Sequence, residues 1–171
     1  AEAIGINFTF MKQVPIVALC GFLGSGKTTL LRRWRREESL KEAALIVHDL
    51  SELGLDAELL SDEDQTPQAG ALVGRVAALH GSHARESLHD SLEKSLEAIS
   101  QLTPAAPLVL CESTGAARPW PLIKALTQDS RFFLRHFMVT VDALNLHRDF
   151  ENGAALLEHS MSIADLALQN A

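Results

Sequence analysis

Residues 21–31 read GFLGSGKTTLL, and within them Gly21, Gly26, Lys27 and Thr28 stand at the spacing GxxxxGK[ST]. Each position in that spacing has a chemical duty. Gly21, Gly24 and Gly26, with Ser25 among them, let main-chain N–H groups converge on an anion without side-chain obstruction, at the positive end of a helix dipole. The Lys27 ammonium matches the charge of β- and γ-phosphates, and the Thr28 hydroxyl is placed to ligate a Mg²⁺ that bridges phosphate oxygens. Thr29, the next residue, completes the set expected around a nucleotide. The plain alternative is a glycine turn without function, but four fixed positions between a strand pattern and a helix pattern seldom coincide by chance.

Carboxylates stand where such a cradle would need them. The run LVLCESTG puts Glu112 at the carboxyl end of a short apolar segment, the edge at which open α/β sheets bind ligands. An acid there can hold a Mg²⁺-bound water or orient an attacking water, and Gly115 can offer its N–H to a γ-phosphate. A strand-ending acid before an ordinary Ser/Thr/Gly turn is the competing reading. Asp49 and Glu52 follow a second apolar segment, where carboxylates of a switch loop reach Mg²⁺ or a second metal; an exposed acidic loop explains them equally well. Asp142 is open between capping a helix and serving chemistry. The candidate catalytic residues are thus Lys27, Glu112 and Asp49, and the candidate metal ligands Thr28, Glu112 and Glu52.

The elements that must position these residues are legible from periodicity. Nearly unbroken apolar runs at 14–20, 43–49, 108–111 and 137–141 predict strands buried on both faces. From Thr28, Leu30, Leu31 and Trp34 fall at helical spacing, with Arg33 four residues before Glu37. Leu88, Leu92, Leu96 and Ile99 give an apolar stripe on a helix beginning near Glu86, ended by TPAAP. PWPLIKALT predicts a helix with prolines in its first turn, and Leu157, Met161, Ala164 and Leu168 predict a last helix over 154–171. Strands alternating with helices imply an α/β fold, a mostly parallel sheet flanked by helices on both faces. Residues 1–10 read as a leader ahead of a natural start at Met11, with an edge strand at INFTF as the rival; residues 11–171 read as one domain.

Composition narrows the partners. Lys+Arg 15 against Asp+Glu 22 leaves a formal charge of -7, so nucleic acid is not the expected partner. Arg32, Arg33, Arg35 and Arg36 point to several sides of one helix, as a solvated face does. No apolar run approaches the roughly 18 residues of a membrane span, so no membrane is expected. Cys20 and Cys111, each inside an apolar run, suit buried thiols in a reducing compartment, hence an expected cytoplasmic location.

Taken together, GFLGSGKTTLL, ALIVHDLSELGLDAELL, ESTG and VTVDALN resemble the CobW-type GTPases, a metal-handling branch of the P-loop GTPases related to the nickel-insertion GTPases of urease and hydrogenase. The resemblance implies a P-loop NTPase fold, GTP and Mg²⁺ as cofactors, and GTP hydrolysis as a switch for metal delivery or metalloprotein maturation, with a client metalloprotein as partner. It also implies a switch-loop role for Asp49 and Glu52 and a Mg²⁺-linked role for Glu112. Two departures stand out. The CxCC metal motif should fall near LHGSHARESL, which holds no cysteine; His80 and His83 lie there, as Zn²⁺ ligands or as solvated loop histidines. The guanine-specifying NKxD motif is absent, and the expectation is a domain truncated before the strand that carries it, since SMSIADLALQNA resembles the helix that precedes that strand. A nucleotide-regulated partner-binding module without a metal site and an ATP-dependent P-loop kinase are the alternatives.

Overall fold

The structure, a computed structural model, describes residues 13–49, 72–73, 76–80, 88–115, 118–145 and 166–170. Strand β1 (Val14–Gly21) runs into helix α1 (Lys27–Arg35) and a 3-10 turn (Glu38–Leu40). Then come β2 (Ala44–Asp49), β3 (Leu72–Val73), β4 (Val76–His80), α2 (Leu88–Ser100), β5 (Val109–Glu112), α3 (Pro119–Leu126), β6 (Phe132–Asp142) and β7 (Leu166–Asn170). The strands form one sheet in the order β3-β4-β2-β5-β1-β6-β7. All neighbouring pairs are parallel except β3 with β4. The carboxyl ends of six strands therefore share one edge, with β1 between β5 and β6.

Why the strands read as unbroken apolar runs is plain from the packing. Ile16, Ala18, Cys20, Ala44, Ile46, Val109, Cys111 and Val139 cluster with Leu92, Leu96 and Ile99 of α2 and Leu122 and Leu126 of α3. The alternate residues Leu19, Leu45, Val47 and Leu110 cluster instead with Leu31 of α1. Each central strand thus buries both of its faces, the requirement of a parallel sheet covered by crossover helices. Each fully buried leucine or isoleucine contributes about 1.5–3 kcal/mol. The expected stripe on α2 is borne out, since Leu92, Leu96 and Ile99 are buried while His89 is exposed. Pro119 opens α3, where its missing N–H costs no helical bond.

Four expectations need correction. Residues 166–170 form a strand and not the end of a helix: β7 pairs with β6 from Met138↔Leu166 to Asp142↔Asn170. Helical spacing in an apolar tail yields when a neighbouring strand offers its backbone groups as partners. Residues 154–165 of that expected helix, like residues 1–12, lie outside the described residues. Strand β6 spans Phe132–Asp142, well beyond 137–141. The β1 pairing shifts register between Ile16 and Val17, so that Leu134 and His136 are successive partners and Arg135 is the extra residue. That bulge breaks the alternation by which a strand is recognised. Strands β3 and β4 were not expected at all, and they put His80 at a strand end. Finally, the pairing that the i,i+4 spacing of Arg33 and Glu37 allows is not among the ion pairs of the described residues, whereas Lys41 pairs with Glu38 at 2.7 Å.

Candidate functional site: a phosphate loop clasped at the carboxyl edge

The loop between β1 and α1 is built as a turn. The Ser25 N–H donates to the Phe22 carbonyl at 3.1 Å, and Gly24, with φ +80, takes the left-handed position such a turn requires. A Cβ on Gly24 would meet nothing within 4 Å, so the summit of the loop is open. Gly26 caps α1 with no side-chain hydrogen bond, leaving the cap free of competing side-chain oxygen, and the helical ladder starts with Leu30 N–H on Gly26 O at 2.9 Å. At Gly21 the constraint is close approach. A Cβ there would lie 2.3 Å from Thr140 Oγ1 and 2.6 Å from Ser25 Oγ, so no other residue fits between the loop and β6.

Lys27 is only 7% exposed, and its ammonium folds back across the loop, donating to the carbonyls of Gly21 at 3.0 Å and Phe22 at 3.1 Å. An anion seated on the loop would be a stronger partner than these neutral carbonyls. One residue on, Thr28 Oγ1 donates to Glu112 Oε1 at 2.7 Å, joining the first turn of α1 to the end of β5. Glu112 is held in place because Ser113 N–H extends the β5–β1 ladder onto Leu19 O at 2.9 Å. Two hard oxygens side by side, one ionisable, fit Mg²⁺, which takes one or two protein ligands and fills the rest of its octahedron from phosphate and water. Gly115 lies against the loop itself: a Cβ there would come within 2.6 Å of Leu23 N and 2.7 Å of Leu23 Cα.

The structure therefore brings together Gly21, Gly24, Ser25, Gly26, Lys27, Thr28, Glu112 and Gly115. Thr29 is exposed on the first turn of α1. Asp49 closes β2 at the same edge, beside its β4 partner His80, on the far side of β5. Glu52 and His83 lie outside the described residues. Asp142 is occupied locally, accepting from Leu144 N–H at 3.0 Å, Asn145 N–H at 3.2 Å and Asn145 Nδ2 at 2.7 Å, an Asx turn that stops β6. Thr140 was missed by sequence reasoning. Its signal was a hydroxyl inside the apolar run FMVTV, where an unpaired O–H is costly and so implies a specific partner.

Neither cysteine is poised for chemistry. Burial pushes the Cys20 thiol up to about 11, against the opposing pull of a Ser113 hydrogen bond and the Lys27 charge. Burial, then the neighbouring Cys20 and Glu112, push the Cys111 thiol higher still. Among the described residues no group of three or more His, Cys, Asp or Glu is arranged to hold a metal. None of their helices is long and apolar enough to cross a membrane. Two surface cavities, about 180 and 340 Å³, lie elsewhere, one lined by Val14, Ile99 and Phe132 and the other between α2 and the turn before β6. A phosphate nest needs an open loop of amides more than a deep cavity.

The chain is similar to proteins of one known family. The family described as CobW/HypB/UreG, nucleotide-binding domain, matches residues 15–171. The chain is 26% identical over 162 residues to the zinc chaperone YjiA of Escherichia coli, covering 92% of this chain and 49% of that protein. It is 28% identical over 121 residues to the zinc chaperone CobW of Pseudomonas aeruginosa, covering 71% and 32%. Among solved structures, Zn(II)-bound YjiA GTPase from E. coli superposes with a TM-score of 0.64 at 23% identity, over 92% of this chain and 49% of that one. The hydrogenase maturation factor HypB from Archaeoglobus fulgidus gives 0.53 at 19%, over 92% and 66%. The chain thus spans a third to a half of the length of these curated relatives.

Proposed function

Because this chain belongs to the CobW/HypB/UreG nucleotide-binding domain family, we propose that it binds and hydrolyses GTP with Mg²⁺ and acts as a switch for metal delivery or metalloprotein maturation. The observation that carries this reading is the Thr28–Glu112 contact at 2.7 Å beside the buried Lys27 ammonium. It puts a cation, a hydroxyl and a carboxylate at one helix start, the set a nucleoside triphosphate needs.

In this reading the loop amides and Lys27 hold the β- and γ-phosphates, Glu112 orients water through its carboxylate, and Gly115 N–H faces the γ-phosphate. Water attacks the γ-phosphorus, the bond to the β–γ bridging oxygen breaks, and GDP and inorganic phosphate leave. Thr28 and Glu112 would hold Mg²⁺, which would supply neutralisation of the charge that develops. Asp49, at the end of β2, and Glu52 beyond it belong to the loop that responds to the lost phosphate. The relatives are named zinc chaperones, which supports a metal-requiring client as the partner and Zn²⁺ as cargo.

Calorimetric titration of GTP with Mg²⁺ tests the assignment. Lys27→Ala should weaken binding roughly 50-fold, the cost of about 2–3 kcal/mol for a charged hydrogen bond to phosphate. Unchanged affinity in that variant, or clear preference for ATP over GTP, sinks the GTPase reading. The missing cysteines near LHGSHARESL favour one second reading, a nucleotide-driven partner module without its own metal site. Tight stoichiometric Zn²⁺ binding that is lost in His80→Ala or His83→Ala would remove it.

A further inference from the structure

Strand β6 contributes a residue that no phosphate-loop motif includes. Thr140 stands in register with Gly21 on the neighbouring strand and is 1% exposed. Its Oγ1 donates to the Cys20 carbonyl at 3.2 Å and lies 2.7 Å from Ser25 Oγ. A threonine hydroxyl has one proton. That proton can go to Cys20 O while Thr140 accepts from the Ser25 hydroxyl, and across the Ser25–Thr140 contact either hydroxyl can be the donor. The Ser25 side chain, likewise 1% exposed, is turned toward Thr140 and not toward the open summit of the loop. Gly21 completes the fit, since a Cβ at that position would sit 2.3 Å from Thr140 Oγ1. The first glycine of the motif is thus required by β6 as well as by any phosphate.

We infer that Thr140 is a positioning residue for nucleotide binding: through Ser25 and the Cys20 carbonyl it clasps the phosphate loop from the side opposite the ligand and holds its amides in the binding geometry. Strand β6 suits this task because it is paired on both sides, by β1 and by β7, and so cannot follow the loop if the loop relaxes. Without the hydroxyl the loop must order itself at each binding event, and that cost appears as lost affinity. The inference rests on the nucleotide reading above and adds to it which part of the fold sets the affinity.

The test is titration of the whole chain with GTP and with GDP in the presence of Mg²⁺, using Thr140→Val, Thr140→Ser, Ser25→Ala and the Thr140→Val/Ser25→Ala pair. Valine keeps the shape and loses the hydroxyl; it should weaken both nucleotides about tenfold, the ratio that one buried hydrogen bond produces. Serine should restore wild-type affinity, and the double variant should lose no more than Thr140→Val alone, which already removes both the Ser25 and the Cys20 contacts of the clasp. In turnover assays Thr140→Val should raise KM about tenfold with kcat within about twofold, the mark of a contact that serves bound substrate and transition state alike. Should Thr140→Val fold poorly, Ser25→Ala breaks the same bond from the loop side and is read in the same titration. Wild-type affinity in Thr140→Val or Ser25→Ala, failure of Thr140→Ser to rescue, or losses that multiply in the double variant would each overturn the clasp. A wild-type chain that binds no nucleotide at all is a separate result, which removes the functional reading and this inference with it.

Discussion

At the scale of single residues, the site is a matter of which oxygen faces which cation. Thr28 and Glu112 hydrogen-bond to one another at 2.7 Å across 84 positions of sequence, and Lys27 rests on two carbonyls of its own loop. The contact between hydroxyl and carboxylate predicts a Mg²⁺ dependence that can be read without any turnover assay. In Glu112→Gln the carboxylate charge goes while the shape stays, so Mg²⁺ should enhance nucleotide binding at least about tenfold less than in the wild type. Titration with and without chelator checks this. Equal enhancement in the two proteins would place the cation elsewhere. Residue types and spacing made this site legible from sequence, since Gly21 to Thr28 and Glu112 carry unusual demands on backbone and charge. Thr140 was illegible because its role depends on which strand lies next to β1.

At the scale of elements, α1 matters most because its first turn carries Lys27 and Thr28. It reaches the sheet through Leu31, fully buried against Leu19, Leu45, Val47 and Leu110, with Leu30 and Trp34 only partly buried. Leu31→Ala should therefore cost about 2–5 kcal/mol in chemical unfolding, since it opens a cavity under the helix. A loss of less than about 1 kcal/mol would mean that α1 is held by its partly buried residues. The reach of the sequence differed by element for reasons seen in the packing. Strands with both faces buried announced themselves as apolar runs. Strand β6 half hid itself, because Phe133, Arg135 and His136 are exposed along its first half and a bulge at Arg135 breaks its period.

At the scale of the whole molecule, the far end of the sheet is tied together by charge. Arg131 donates through Nε and Nη2 to Asp129, through Nη1 to Glu97 on α2, and through Nη1 to Ser100 at 2.9 Å. The Arg131 hydrogen bond is the main cause holding each carboxyl below its ordinary range. A carboxyl depressed in the folded state stabilises above its unfolded value, near pH 4, and that contribution disappears as pH falls through the lower folded value. Acid titration of thermal stability should therefore fall below about pH 4. Arg131→Met should lose that contribution above about pH 4 and converge with the wild type in acid, so its acid limb is shallower; the loss near neutrality should be small because the guanidinium and Glu97 keep contact with solvent, and partly solvated pairs contribute little. An unaltered acid limb would show that other carboxylates govern acid unfolding.

By itself, the sequence determined whatever depends on local backbone and charge: the glycine turn, the lysine and threonine after it, the acid ending an apolar run, and the α/β class implied by alternating patterns. Only the tertiary structure decided what depends on neighbours. It made residues 166–170 a strand, because pairing with β6 satisfies backbone groups that helical spacing could only suggest for another conformation. It also placed Thr140 beside Gly21, since strand order is fixed by how helices cover both faces of a sheet and leaves no mark in the spacing of the chain.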